Sequence, residues 1–219
     1  MTDGHRLRER LLPVTVEAFA LLVPVKALSA AKTRLALDGD RTRALMRAFA
    51  ADAVSAAAQS PLVARLFVVS DEPDLRPLRG VDVLPDEGAG DLNRALTAAA
   101  RRVRAVHPDL GIAALCADLP CLVEADLTLA LAPGPAARWF VPDAEGSGTT
   151  LLAAVPHTDL DPCFGPGSAG RHAATGAVPV AVEVPTLRHD VDTPADLDAA
   201  VALGVGPHTA TALSLSARG

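Results

Sequence analysis

The chain contains no tyrosine, one tryptophan, two methionines and five phenylalanines in 219 residues, so aromatics make up only 3% of it. A core built from this composition must rest on alanine, valine and leucine. Half of the residues are apolar, enough for one large α/β domain to bury a full core. Cysteine is equally scarce. Cys116, Cys121 and Cys163 are odd in number and lack Cys-x-x-Cys spacing, which argues against a disulfide framework and a structural zinc site and predicts free thiols. The six histidines are scattered, and no i, i+4 pair offers a His-built metal site. No apolar run approaches the roughly 20 residues that span a bilayer. Residues 1–17 mix charges of both signs and lack the apolar stretch and cleavage site of a signal peptide. A soluble cytoplasmic protein with a short, loosely held leader is expected. Net charge is −6, without a basic block or aromatic–basic interleaving, which argues against nucleic-acid binding.

Lysine is rarer still. Lys26 and Lys32 are the only two, against eighteen arginines, and both fall in Val23-Pro24-Val25-Lys26-Ala27-Leu28-Ser29-Ala30-Ala31-Lys32-Thr33-Arg34-Leu35-Ala36. Lys26, Lys32 and Arg34 thus lie in the turn behind the first strand-like run. Such turns, at the carboxyl ends of sheet strands, are where α/β folds bind anionic ligands. The alternative is a solvated, alanine-rich loop.

Apolar runs at 19–25, 62–70, 81–84, 111–117, 138–141, 150–155 and 178–184 read as strands. Helical spacing lies between the early ones. Leu45, Phe49 and Ala53 fall four apart within 41–58, and Leu92, Leu96, Ala99 and Val103 mark 91–107, which Pro108 ends. Thr193-Pro194-Ala195-Asp196 is a helix start, with Thr as N-cap, Pro at N1 and an acid at N3; Gly204 stops that helix. Strands alternating with helices predict a mostly parallel sheet covered on both faces. One domain over 18–206 is expected, with a loosely packed tail over 207–219.

Asp118 ends the run 111–117, where a carboxylate suits Mg²⁺ bound together with substrate phosphates. A turn before Leu119-Pro120 would also use an Asp. Asp190 and Asp192 are two apart, so an extended backbone points both to one face and toward a shared metal; turn chemistry ahead of Thr193 is the other reading. Gly146-Ser147-Gly148-Thr149-Thr150 and Gly165-Pro166-Gly167-Ser168 offer hydroxyls and open backbone N–H groups, as ordinary loops also do. Ser168 is expected to cap a short helix through Ala174, a natural phosphate site. Gly165-Pro166-Gly167-Ser168-Ala169-Gly170 matches Gly-x-Gly-x-x-Gly formally, but it follows a polar loop rather than a strand, and no P-loop is present. Dinucleotide-dependent hydride transfer and P-loop ATPase chemistry are set aside on that basis.

Taken in order, Val23 to Ala36, Asp91-Leu92-Asn93-Arg94-Ala95-Leu96, Ala117-Asp118-Leu119-Pro120, Gly146 to Leu152, Phe164 to His172 and Leu187 to Asp198 resemble the guanylyltransferases of coenzyme F-420 biosynthesis, which act on a small phosphorylated three-carbon acid. The resemblance implies a nucleotide-diphospho-sugar-transferase-like fold, a Rossmann-like three-layer α/β sandwich. It implies Mg²⁺ on Asp118 and Asp190, assisted by Asp192. Thr150, Gly165 and Ser168 correspond to acceptor-phosphate contacts, and Lys26, Lys32, Arg34 and Asn93 to the nucleotide site. Asp91 stands where the family pattern suggests a small residue.

The implied partners are GTP and phosphoenolpyruvate, with 2-phospho-L-lactate as the other acceptor of the family; oligomeric state is not indicated. Sugar-phosphate and pterin-cofactor nucleotidyltransferases carry a Gly-rich Leu-Ala-Gly-Gly opening. Here Val23-Pro24-Val25-Lys26 stands instead, with no glycine between it and Gly39. A non-catalytic nucleotide-binding protein is expected to have lost a metal carboxylate, and all three are present.

Overall fold

The computed structural model describes residues 18–25, 39–72, 80–132, 134 and 136–216. The described elements run β1 (Phe19–Pro24), α1 (Gly39–Ala57), β2 (Val63–Val69), β3 (Val81–Leu84), α2 (Leu92–Val106), β4 (Gly111–Leu115), α3 (Glu124–Leu131), β5 (Arg138–Pro142), β6 (Thr149–Ala154), α4 (Ser168–Ala174), β7 (Val178–Pro179), α5 (Pro185–Arg188), α6 (Pro194–Leu203) and α7 (Pro207–Ser216). The leader over 1–17 and the basic turn with Lys26, Lys32 and Arg34 lie outside the described residues.

The strands pair in the order β3-β2-β1-β4-β6-β5-β7. All neighbours are parallel except β6, which runs antiparallel to both β4 and β5. The apolar runs follow from burial on both faces, because alternate residues feed opposite cores. Phe19, Leu21 and Val23 of β1 join Ala113 and Leu115 of β4 on the face covered by α1, α3 and α5. Ala20 and Leu22 join Ile112 and Ala114 on the face covered by α2 and α4. Small helix residues bring helix and sheet close: Ala50, Ala53 and Ala57 on one side, and Ala95, Ala99 and Ala100 on the other. The single tryptophan fills the gap that alanine leaves. Trp139 is fully buried, meets Phe19 edge to face at 5.8 Å and donates its indole N–H to Ala130 O at 2.9 Å. Gly134 lies against its ring, where a Cβ would sit 2.3 Å from the indole.

The helix signals in the sequence hold. Asp91 is the N-cap of α2, its carboxylate accepting the N–H groups of Asn93 and Arg94 at 2.8 and 3.2 Å. That role accounts for an acid where the family pattern suggests a small residue. Thr193 and Asp196 form a full capping box at α6, and Gly204 ends it at φ 108°. Two expectations are corrected. Ser168 does not cap α4: Gly167 occupies that position with φ 70°, and Ser168 is the first helical residue. Residues 207–216 are not a loose tail but helix α7, which packs on α1 with Thr209 fully buried. Its N-terminal N–H groups at His208 and Thr209 are taken by the buried Asp52 of α1, at 3.0 and 2.8 Å. Gly206 makes the approach possible, since a Cβ there would lie 2.4 Å from the Asp52 carboxyl. No helix among the described residues is long and apolar enough to cross a membrane.

His172 ties α4 to the sheet. It is fully buried, and its Nε2 accepts the N–H of Cys163 at 2.9 Å, so the neutral ring carries its proton on Nδ1 and donates to Thr149 Oγ1 at 2.9 Å. The ring packs against Phe140 and Phe164 at 5.8 and 5.1 Å. Burial, together with the positive Arg171 and Arg138, pushes its pKa down to about 4.

Asp52→Ala should therefore lower unfolding free energy by about 1–2 kcal/mol in chemical denaturation, through the lost cap of α7; an unchanged midpoint would remove Asp52 from that role. The depressed pKa of His172 sets a pH dependence. Between pH 6.5 and about 4 the unfolded chain takes up a proton that the native ring refuses, so this contribution is full above pH 6.5 and is lost as pH falls. Denaturation series should show the wild type losing stability relative to His172→Gln across that window. Parallel curves would contradict it.

Candidate functional site

The backbone beyond β4 turns sharply into the protein. Leu119, Cys121 and Leu122 are buried and the Leu122 N–H closes a turn on Leu119 O at 3.2 Å, which leaves Asp118 at the carboxyl end of the strand. The segment after α5 meets it there. Val191 donates its N–H to Asp118 O at 3.0 Å and sinks its side chain among Leu45, Phe49, Cys121 and Ala200. Asp190 and Asp192 flank the buried Val191, and both line the cavity beside Asp118. Asp118, Asp190 and Asp192 each bring a carboxylate oxygen within 4.8 Å of the others, and all three side chains are half-buried. The structure thus brings Asp118 together with Asp190 and Asp192, which lie more than seventy residues later in the sequence.

Such crowding disfavours full ionisation. Burial first, then the negative charges of Asp118 and Asp192 and, more weakly, Asp143, push Asp190 up to about 7, against the lowering effect of a backbone hydrogen bond. A divalent cation would relieve both terms. Carboxylate oxygens on a pocket floor are the donor set that Mg²⁺ accepts when it also holds substrate phosphates, so the residues fit that ion.

The triad opens into a cavity of about 460 Å³ whose walls include Asp143, Gly148, Thr149, Gly165, Pro166 and Ser168. The β5–β6 connection forms one wall. Asp143, a residue the sequence reading did not single out, wraps it: Oδ1 and Oδ2 accept the N–H groups of Ser147 and Gly148 at 2.9 and 2.7 Å. Gly148 is required there, as a Cβ would sit 2.3 Å from Asp143 Oδ2. The signal was an Asp ahead of Gly146-Ser147-Gly148, the pattern of a side chain folding its own loop. Arg188 of α5 donates to the carbonyls of Pro142 and Asp143 at 3.1 and 2.8 Å, fixing the hairpin beside the acids.

Residues 163–168 form the facing wall. Gly165 and Gly167 have φ of 116° and 70°, and the N–H of Ser168 returns to Gly165 O at 3.0 Å. Ser168 is buried at the start of α4 on the cavity edge. Thr149 lines the cavity, while Thr150 beside it is buried with its hydroxyl 3.5 Å from Val141 O. Asn93 stands at the first turn of α2 with its amide spanning Phe164: Oδ1 accepts the Phe164 N–H at 2.7 Å and Nδ2 donates to Phe164 O at 3.1 Å. A floor of acids, with a glycine-rich wall at the carboxyl end of a parallel strand, suits phosphate esters bound through metal and backbone N–H groups.

Solved structures share this architecture. A putative nucleotide-diphospho-sugar transferase from Desulfovibrio desulfuricans G20 superposes with a TM-score of 0.58 at 18% identity, covering 86% of this chain and 96% of that one. A 4-diphosphocytidyl-2C-methyl-D-erythritol synthase gives 0.53 at 15% identity, covering 85% and 98%. At such identities the likeness establishes the fold, nucleotide-diphospho-sugar-transferase-like. Sequence relatives are nearer. A phosphoenolpyruvate guanylyltransferase of Geodermatophilus obscurus is 49% identical over 217 residues, covering 94% of this chain and 98% of its own. One of Streptomyces avermitilis is 50% identical over 202 residues, covering 89% and 93%. The family model described as "Guanylyl transferase CofC like" matches residues 19–211, from the first strand into the first half of α7. With that match over nearly the whole fold and relatives near half identity, the chain belongs to the CofC-like guanylyl transferase family.

Proposed function

We propose that the protein transfers GMP from GTP to the phosphate of phosphoenolpyruvate, giving enolpyruvoyl-diphospho-guanosine and pyrophosphate, a step of coenzyme F-420 biosynthesis. The observation that carries this reading is the convergence of Asp118, Asp190 and Asp192 beside the 163–168 loop, in a chain whose relatives at 49–50% identity bear that activity's name.

The reaction brings two polyanions together. A phosphate monoester has its second pKa near about 6 and is largely dianionic at neutral pH, so the acceptor oxygen needs no protein base. It attacks the α-phosphorus of GTP; a new P–O bond forms, the α–β phosphoanhydride bond breaks, and pyrophosphate leaves with the electron pair. Asp118 and Asp190, with Asp192, would hold Mg²⁺, which when bound would supply charge neutralisation and alignment of the phosphates. What remains for the chain is positioning and electrostatics. The 163–168 loop, through Gly165 and Ser168, holds the acceptor phosphate on the side of the cavity facing the acids; Thr150, expected to share that contact, is buried with its hydroxyl toward Val141 O, and Thr149 lines the cavity in its place. Lys26, Lys32 and Arg34, in the stretch that follows β1 in sequence, meet the triphosphate and offset charge on the departing pyrophosphate. Asn93 borders the nucleotide side through the first turn of α2.

Purified protein given GTP and Mg²⁺ should release pyrophosphate with phosphoenolpyruvate, and much more slowly with 2-phospho-L-lactate. Asp118→Asn should cut that release at least about 100-fold, the scale of losing one electrostatic contact to a reacting phosphate, while circular dichroism stays unchanged. A folded Asp118→Asn variant with wild-type turnover would refute the metal assignment. A wild type that prefers phospholactate would change the acceptor and leave the chemistry standing.

A further inference from the structure

The wall that receives the acceptor phosphate closes its turn with the Ser168 N–H on Gly165 O at 3.0 Å and at its head leans on side chains outside it. Gly165 and Gly167 both take positive φ, a conformation with wide freedom in the absence of a Cβ. The N–H groups at the head of this wall are held from two directions by side chains outside it. His172 Nε2 accepts the Cys163 N–H at 2.9 Å, and Asn93 Oδ1 accepts the Phe164 N–H at 2.7 Å. Asn93 Nδ2 also donates to Phe164 O at 3.1 Å, so one amide clamps both backbone groups of a single residue. Each anchor is itself fixed. His172 is oriented by Thr149 Oγ1 and by the rings of Phe140 and Phe164, and Asn93 sits on the first turn of α2, which Asp91 caps. Arg171 also reaches the Cys163 carbonyl at 2.9 and 3.1 Å, but it does so from the exposed surface, where water competes for the same acceptor.

We propose that His172 and Asn93 are positioning residues for the acceptor: together they latch the 163–168 loop in the shape that receives the acceptor phosphate opposite the three acids. This rests on the acceptor reading given above. The latch acts through the backbone of Cys163 and Phe164, and neither side chain meets the reacting atoms. Loss of either hydrogen bond frees the glycine-containing turn and weakens acceptor binding, while the nucleotide side keeps its own contacts.

The latch makes two isosteric substitutions unequal. Gln at position 172 can place its Oε1 near the site of Nε2 and keep the acceptor for Cys163 N–H, whereas Asn reaches only the Nδ1 site and loses it. The test is steady-state kinetics with GTP and phosphoenolpyruvate on the full chain, alongside amide hydrogen exchange without substrate. His172→Asn should raise the phosphoenolpyruvate KM about 5- to 10-fold, the scale of one hydrogen bond, with the GTP KM within about twofold; Asn93→Ala, which removes both amide contacts to Phe164 from a residue that also borders the nucleotide, is read by hydrogen exchange. Exchange at Cys163 and Phe164 should accelerate in the variant that loses each contact, while β1 and β4 stay protected. His172→Gln should restore the acceptor KM to within about twofold of wild type. Equal rises in both KM values, or a Gln variant no better than Asn, would overturn the positioning role. Unchanged exchange at 163 and 164 would overturn the latch itself. A wild type silent with phosphoenolpyruvate would sink the acceptor reading instead, and the two failures are told apart because exchange is read without substrate.

Discussion

The N–H of Val191 reaches the carbonyl of Asp118 across 3.0 Å, and much of the site's geometry hangs on that one bond. It joins the segment after α5 to the end of the central strand and commits Val191 to the small core under α1 and α6. Once Val191 is buried, Asp190 and Asp192 have no freedom to turn away from Asp118. Carboxylates that would separate in an unconstrained chain are held within 4.8 Å by apolar packing below them. Burial first, and then the charges of Asp118 and Asp192, raise the pKa of Asp190. Hydrophobic burial thus opposes charge repulsion, and a bound cation would turn the repulsion into affinity.

Opposite the acids, the cavity depends on backbone rather than on side-chain chemistry. Asp143 spends both carboxylate oxygens on the hairpin between β5 and β6, although it lines the same cavity. Four acids are therefore close together with different duties: three face the cavity floor and one holds a wall in shape. The division follows from partners. Asp143 meets two N–H groups within 2.9 Å, whereas Asp118, Asp190 and Asp192 bring carboxylate oxygens within 4.8 Å of one another.

Much of this was readable in the chain, and the parts that were not share a cause. Strands buried on both faces appear as apolar runs, so β1, β2, β4 and β6 could be placed from composition alone. The direction of β6 could not, because an apolar run is the same read either way. The capping signals at Asp91 and Thr193 are local, and both hold. Helix α7 was missed since Pro207-His208-Thr209-Ala210-Thr211-Ala212 carries no apolar stripe and its cap, Asp52, lies more than 150 residues earlier. The clustered acids Asp118, Asp190 and Asp192 are visible as residue types at strand and turn positions. Asp143 and the buried bonds of His172 depend on which loops meet in space, which local spacing does not encode. Ser168 was placed one step wrong, since Gly167 takes the left-handed position that the turn requires.

The antiparallel strand has a consequence for the making of the molecule. As the chain leaves the ribosome, β1, β2, β3 and β4 can assemble into a parallel half-sheet by residue 115. The free edge of β4 must then wait, because its partner β6 arrives only after β5 has been synthesised. For some forty residues of elongation that edge presents unpaired N–H and C=O groups beside an apolar surface, a site where nascent chains on neighbouring ribosomes could join. Closure is completed by α7, the last described helix, docking on α1, the first. The acids at 190 and 192 come late as well, so the charged cluster is assembled only when the sheet beneath it is already shut.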